Sequence, residues 1–313
     1  MKRFLMFILA ILLCGCAAVE QPETPKEGFS IITTIFPAYD FAREIAGDSA
    51  NVAQLLPPGA ESHTYEPAPH DIIAIQQSDL FIYTGGEGDV WIEDILESMG
   101  DKAPQTLKMM DYVELLEAES SHGMDDDHHH HPGDGHHHDF DEHVWTSPKN
   151  AVKIAEAIAQ KLCEMDAKNA ESYNARFEDY SKKLDEVDKK LTQTVETAKR
   201  RTILVGDRFP FLYLARHYGI DYYAAFSACG SEGDASAATV AMLADTVKQQ
   251  QLPAVLHIEF SNKNVAAAIA ETAGVEMKQL HSCHNVTKEE IKNGISYLSL
   301  MEQNIATLND VLN

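Results

Sequence analysis

Two halves of the chain repeat one pattern, in which short apolar runs alternate with amphipathic segments, and this repetition restricts the possible fold more than any other feature. The first half predicts strands at 30–35, 51–55 and 80–83 and helices at 37–46, 69–77 and 90–99. The second half predicts strands at 202–205, 220–226, 254–258 and 275–280 and helices at 209–218, 235–250, 262–273 and 288–312. This alternation is typical of βαβ units around a mostly parallel sheet. The sequence therefore predicts an α/β protein of two lobes, with strand-end loops that face a cleft between them.

A long charged segment at 147–200 connects the two halves and predicts one helix. Ser147 is a good N-cap, and Pro148 suits the first helical position. No glycine interrupts the segment before Arg201. Because a stiff connection makes a poor hinge, we expect the lobes to move little relative to each other. One face of the helix carries an apolar stripe at helical spacing, formed by Tyr173, Phe177, Tyr180, Leu184, Val187, Leu191 and Val195.

The segment from Ser121 to Trp145 holds nine of the fifteen histidines and six aspartates. No apolar side chain lies between Asp125 and Asp139, so this part cannot contribute to a core and predicts a loop. Neutral imidazole is the commonest protein ligand for Zn²⁺. The internal position of the tract, and its admixture of Asp and Gly, distinguish it from an expression tag. The sequence therefore predicts a secondary metal-binding loop at 121–142, with ligands His128, His129, His130, His131, His136, His137 and His138.

The N-terminus predicts export. Lys2 and Arg3 precede an apolar run at 4–13, which is shorter than the roughly 20 residues needed to span a bilayer. Residues 13–16, Leu-Cys-Gly-Cys, resemble a bacterial lipobox, which implies cleavage before Cys16 and a lipid on its sulfur. An ordinary secretory signal with incidental cysteines is the alternative. We expect an extracytoplasmic protein that is anchored to the bacterial cell membrane through lipidated Cys16.

The charge balance limits the class of ligand. The chain has 49 acidic and 25 basic residues, a formal net charge of −24. Nucleic acid binding depends on Lys and Arg to neutralise phosphates, so this balance argues against a nucleic acid partner and favours cations.

Three cysteines follow Cys16. An exported compartment permits disulfides. Cys229 and Cys283 both lie in predicted loops of the second half and form the candidate pair. Cys163 lies in a helical pattern and predicts a small buried apolar side chain.

Several histidines lie where a side chain can reach the cleft. His63 lies in a loop stiffened by proline and glycine after the second strand, where a merely solvated histidine is the alternative. His143 closes the His-rich tract directly before the linking helix. His281 follows the last strand of the second half, with His284 as the fallback and Cys283 as a thiolate alternative if it is not bonded.

These segments together resemble the cluster A-I solute-binding proteins, the zinc- and manganese-binding lipoproteins of bacterial ABC uptake transporters. The resemblance covers nearly the whole chain after the signal segment. It rests on GAESHTYEP around His63, DEHVWTSP around His143, the acidic His-rich loop and the long helix. It implies two α/β lobes, a rigid linking helix and a buried metal site in the cleft, from which the captured ion passes to a permease.

The sequence departs from the family pattern at two ligand positions. The third ligand, usually His or Glu, aligns with Arg208, whose guanidinium stays charged and cannot bind a metal. Asp207 is the nearest replacement, although pairing with Arg208 or capping the next helix is an equal alternative. The fourth ligand, usually Asp, aligns near His281. The resemblance thus implies a tetrahedral Zn²⁺ site of His63, His143 and His281, completed by Asp207 or water.

The sequence therefore predicts a monomeric solute-binding lipoprotein, not an enzyme, that captures Zn²⁺ and delivers it to the membrane subunit of an ABC permease. Imidazole ligands favour Zn²⁺ over Mn²⁺, so a manganese-binding protein of the same fold is the weaker alternative. A secreted zinc hydrolase is a further alternative, but the chain has no HExxH or GxSxG motif. An extracellular metal buffer or adhesin is the third. The predicted organisation is a signal peptide at 1–15, a lipid-anchored linker at 16–28, an N-terminal lobe at 29–146, the linking helix at 147–200 and a C-terminal lobe at 201–313.

Overall fold

The structure is a computed structural model, and it describes residues 28–61, 64–118, 140–228 and 235–313. The predicted signal peptide, Cys16, His63, Cys229 and the seven histidines of the predicted metal-binding loop lie outside the described residues. Within the described ranges, no helix combines the length and the apolar character that crossing a membrane requires.

The N-terminal lobe is built on a four-stranded parallel sheet in the order β2-β1-β3-β4. All four residues of β3 are buried, as expected for a strand covered on both faces by helices. The edge strand β4 was not predicted, because its residues are mostly polar or exposed and show no apolar run. The strands are β1 (Phe29–Thr33), β2 (Ala50–Gln54), β3 (Leu80–Tyr83) and β4 (Gln105–Lys108), and the helices are α1 (Phe36–Ala46), α2 (Pro69–Gln77) and α3 (Val90–Met99).

The C-terminal lobe repeats this arrangement with the order β6-β5-β7-β8, again all parallel. The predicted α/β fold of two lobes is therefore confirmed. The last helix, predicted as continuous over 288–312, is interrupted where Gly294 adopts φ 76°. The strands are β5 (Thr202–Arg208), β6 (Asp221–Phe226), β7 (Ala254–His257) and β8 (Glu276–Gln279). The described residues of this half form the helices α6 (Leu212–Tyr218), α7 (Ala237–Gln249), α8 (Asn264–Ala273), α9 (Lys288–Lys292) and α10 (Tyr297–Leu312).

The linking segment forms two helices that pack against each other, α4 (Pro148–Met165) and α5 (Ala170–Glu196). The predicted start, with Ser147 as N-cap and Pro148 in the first turn, is confirmed for α4, and the predicted long helix is confirmed over α5, but the helix is not continuous between them. Asp166 leaves the helical conformation with φ −132° and ψ 65°. Its carboxylate accepts hydrogen bonds of 2.7 Å from Asn169 Nδ2 and Tyr173 Oη, which hold the turn that begins α5. The break arises because a short polar side chain competes locally with the helix backbone for hydrogen bonds.

The largest hydrophobic core cluster runs through both lobes and the linking helices, and each lobe also has a smaller cluster of its own. Direct hydrogen bonds also join the lobes near the cleft. The indole Nε1 of Trp145 donates to the carbonyl of Ser282 at 2.8 Å, and the hydroxyl of Tyr297 donates to the carbonyl of Trp145 at 2.7 Å. Because the shared core and these bonds hold the lobes together, large relative movement would expose apolar surface to water.

The thiol of Cys283 is free and buried, and its candidate disulfide partner, Cys229, lies outside the described residues. The backbone amide of Cys283 donates to His281 Nδ1 at 2.9 Å, and the Cys283 side chain packs into the shared core. Burial raises the pKa of the Cys283 thiol well above its usual value, so the thiolate ligand considered for this residue is disfavoured.

A buried carboxyl group between α1 and α10 predicts a pH dependence of stability. Burial raises the pKa of Asp40 from 3.8 to about 6, although Arg43 opposes the shift. The folded protein then binds the Asp40 proton more tightly than the unfolded chain does, so the free energy of unfolding rises as the pH falls from above 6 towards 4. We expect this site to contribute about 2 kcal/mol across that range, and roughly 3 kcal/mol only at a pH well below 4.

Urea unfolding of the wild type and Asp40→Asn at about pH 7.5 and about pH 4.5 measures this contribution. The stability of Asp40→Asn relative to the wild type should be about 2 kcal/mol more favourable at the higher pH. The exposed Asp48→Asn controls for the loss of one negative charge near the same helix. An Asp40→Asn difference that is equal at both pH values would contradict the prediction.

Candidate metal centre

His143 is fully buried at the entrance to the linking helices. Its Nδ1 lies 3.1 Å from Asp141 Oδ1, and the same oxygen accepts the His143 backbone amide at 2.8 Å. A carboxylate on one ring nitrogen is the usual outer-shell partner of a metal-binding histidine, and it directs Nε2 towards the metal. Burial alone lowers the pKa of His143, but Asp141 and Glu142 outweigh it and raise the pKa above its usual value.

His284 of the C-terminal lobe meets His143 in the cleft. The ring centroids are 5.4 Å apart and the rings are perpendicular. Trp145 packs against both imidazoles, with its ring centroid 4.9 Å from that of His284. The carbonyl of His284 accepts the Phe36 amide at 3.2 Å, so the backbone of the opposite lobe fixes this residue. The structure thus brings together one imidazole from each lobe.

His281, the ligand predicted from the sequence, is buried beside Glu259, with 3.4 Å between His281 Nδ1 and Glu259 Oε1. Its Nδ1 accepts the Cys283 amide at 2.9 Å, and its backbone is held by two 2.7 Å hydrogen bonds with the Asn304 side chain. It does not line the cavity that contains His143 and His284. The structure therefore brings the fallback residue His284, rather than His281, to His143.

Asp207 and Arg208 also differ in where their side chains lie. Asp207 accepts the backbone amides of Arg208 at 3.0 Å and Ile258 at 3.4 Å, which fixes its carboxylate between β5 and β7. Arg208 lines the cavity and forms an ion pair with Glu61 of the other lobe, with 3.0 Å between Nη2 and Oε2. This acceptance of backbone amides was not among the alternatives to metal binding that the sequence suggested for Asp207, which were pairing with Arg208 and capping of the next helix.

The cavity between the lobes has a volume of about 20 Å³ and is lined by the two imidazoles, Arg208 and two glutamates. Sequence reasoning missed both glutamates, Glu61 and Glu259. Glu61 lies two positions before His63, which was a usable signal. Glu259 accepts hydrogen bonds from the Ser282 amide at 2.7 Å and from the Ser282 hydroxyl at 2.5 Å. No local sequence motif predicts this arrangement. In the part of the chain that the structure describes, no three His, Cys, Asp or Glu side chains form a ready metal cluster.

Comparison with known proteins identifies the family of this chain. The model of the ZnuA family, described as zinc-uptake complex component A, periplasmic, matches residues 31–311.

The chain belongs to the ZnuA family. Among its relatives, the zinc-binding lipoprotein AdcA of Streptococcus pneumoniae R6 is 31% identical over 301 residues, which are 96% of this chain and 58% of AdcA. The chain thus spans little more than half of that relative. The high-affinity zinc uptake system protein ZnuA of Bacillus subtilis is 29% identical over 306 residues, 97% of this chain and 94% of the relative.

A solved structure agrees with the fold of this ZnuA-family chain. The Zn(II)-bound ZnuA-like domain of S. pneumoniae AdcA superposes with a TM-score of 0.75 at 29% identity. The superposition covers 91% of this chain and 99% of that domain. The likeness therefore extends over both lobes and the cleft between them.

Proposed function

We propose that this protein captures Zn²⁺ outside the cytoplasmic membrane and delivers it to an ABC permease for import. The main observation behind this proposal is that His143 and His284, one from each lobe, lie next to each other in the cavity between the lobes. A buried pair of imidazoles at the joint of two lobes suits an ion that is held and later released. The family match and the zinc-binding relatives support this reading.

We infer a ligand set of His63, His143 and His284, with Glu61 or water in the remaining position. His284 replaces His281 in this set because its ring lies beside that of His143. Glu61 replaces Asp207 because it lines the same cavity, whereas Asp207 bonds to backbone amides. Three imidazoles and one oxygen suit tetrahedral Zn²⁺ better than Mn²⁺, which prefers oxygen ligands.

The remaining parts of the proposal concern segments that flank this site. Lipidated Cys16 would anchor the protein at the extracytoplasmic face of the cell membrane, and the His-rich loop would bind ions weakly through exchangeable imidazoles. The proposed partner is the permease membrane subunit, and the proposed state is a monomer. We assign a solute-binding role rather than catalysis, because the imidazole pair is buried and packed against Trp145.

A zinc titration of the full chain against a competing chromophoric chelator tests the proposal. We expect one tightly bound Zn²⁺, and further weak equivalents that disappear when residues 121–139 are deleted. The tight equivalent should survive that deletion, because the cavity residues lie on rigid elements outside the loop. Disappearance of the tight equivalent together with the loop would contradict this division of roles.

Growth of a deletion strain in chelator-treated medium tests the transport step. We expect poor growth that zinc supplementation or the wild-type gene restores. Normal zinc accumulation in the deletion strain would instead favour an extracellular metal buffer.

A further inference from the structure

A second cavity, with a volume of about 30 Å³, lies in the N-terminal lobe beside His284. It opens at the carboxyl ends of β1 and β3, where Thr34 and Thr84 directly follow the two strands. The strand order β2-β1-β3-β4 makes this the point where successive connections leave the sheet in opposite directions. Open α/β sheets commonly bind ligands at such a point.

Backbone amides of one turn, at residues 84–88, bind two carboxylates in this cavity. Asp89 Oδ2 accepts the amides of Thr84 and Gly85, both at 2.9 Å. Glu142 Oε2 accepts the amide of Gly88, also at 2.9 Å. Burial, with the negative charge of Glu142, raises the pKa of Asp89 to about 7. Backbone amides therefore orient both acidic groups before any ligand binds.

The turn depends on glycine for this approach. Gly86 has φ 90°, and a Cβ atom there would lie 2.8 Å from Glu142 Oε2. A Cβ atom at Gly88 would lie 2.9 Å from Glu142 Oε1. A side chain at either position would displace the carboxylate, so the glycines keep Glu142 against the backbone.

A third polar group in the cavity is independent of the two acids. Thr34 lines the cavity with a relative exposure of 5%, and its Oγ1 is buried with no hydrogen-bond partner in the structure. A buried hydroxyl without a hydrogen-bond partner is energetically unfavourable unless a ligand binds to it. The ammonium of Lys108 donates a hydrogen bond of 3.3 Å to Glu93 Oε1.

We propose that this cavity is a second divalent-cation site, in which the Asp89 and Glu142 carboxylates and the Thr34 hydroxyl supply the protein ligands. Oxygen ligands suit Mn²⁺, Ca²⁺ or Mg²⁺, and water completes the coordination of such ions in most protein sites. His284 lines both cavities, so this site and the imidazole pair are neighbours with different ligand chemistry.

Mn²⁺ titration of the full chain, followed by electron paramagnetic resonance of the free ion, tests the site. Asp89→Asn keeps an oxygen that can accept the two amides but removes the charge. We expect this variant to bind one Mn²⁺ fewer than the wild type. Asp101→Asn removes an exposed acid from the same lobe and should match the wild type. Equal Mn²⁺ stoichiometry in Asp89→Asn and Asp101→Asn would overturn the proposal.

Thr34→Val tests the hydroxyl, because it should raise the stability of the metal-free protein and lower the affinity for Mn²⁺. Without Mn²⁺ the variant should melt at a higher temperature than the wild type, because a methyl group replaces an unpaired buried hydroxyl. Its Mn²⁺ affinity in the cavity should fall severalfold, and unchanged affinity would show that Thr34 is not a ligand. Asp89→Asn should retain the tight Zn²⁺ equivalent. If the wild type bound no Zn²⁺ tightly, the proposed zinc function would be wrong, but the comparison of Mn²⁺ stoichiometry would still test the second site.

Discussion

His143→Ala should lower the affinity for Zn²⁺ by more than about 100-fold. Loss of an outer-shell partner costs about 10–100-fold in metal affinity, and loss of a direct ligand costs more. Among the proposed ligands, His143 has the most complete support, because it is fully buried and has a carboxylate beside Nδ1. The variant leaves a buried space beside Trp145, so its unfolding must be measured alongside its affinity.

Competition titrations of a graded set of variants check this prediction. Asp141→Asn removes the charge beside the imidazole but not the imidazole, and should lower the affinity by about 10–100-fold. His70→Ala, whose side chain is 82% exposed on α2, should leave the affinity unchanged. Wild-type Zn²⁺ affinity in a folded His143→Ala protein would refute the assignment of this ligand.

Matched asparagine substitutions at His284 and His281 should give very different results. We expect His284→Asn to lower Zn²⁺ affinity by more than about 100-fold, since it removes a direct ligand. His281→Asn should change the affinity less than about tenfold, because an asparagine oxygen can replace Nδ1 as the acceptor of the Cys283 amide. The second variant tests the ligand that the sequence predicted, with little disturbance of the loop.

The same chelator competition, with an unfolding measurement for each variant, distinguishes the two histidines. A large loss of affinity in His281→Asn, with His284→Asn near the wild type, would restore the ligand set inferred from the sequence. Equal losses in both variants would indicate that the loop, rather than one imidazole, controls affinity.

The fold was largely predictable because each element has a local signal. Apolar runs such as Leu80–Tyr83 mark strands buried on both faces, and Gly219 and Gly274 end helices in the left-handed conformation. The failures occurred where that signal is weak. Strand β4 lies at a sheet edge without an apolar run, and the break at Asp166 depends on hydrogen bonds with Asn169 and Tyr173.

The candidate site was predictable at the level of loops but not of side chains. The resemblance and the strand-end position selected the loop at 281–284. The left-handed conformation of Cys283, with φ 63°, turns the chain between the two histidines, and the Cys283 amide binds His281. Likewise β5 extends to Arg208, with a register shift between Val205 and Arg208, so Arg208 reaches the cavity while Asp207 does not.

The sequence by itself determined the class of the molecule: two α/β lobes, a long helix between them, and histidines in loops that face a cleft. Periodicity and strand-end position are local properties, so they can be read without knowing the contacts. Only the tertiary structure decided which imidazole meets His143, that Glu61 pairs with Arg208 across the cleft, and that Asp89, Glu142 and Thr34 share one cavity. These contacts join residues far apart in the chain, and their geometry depends on backbone turns and lobe packing that no local pattern encodes.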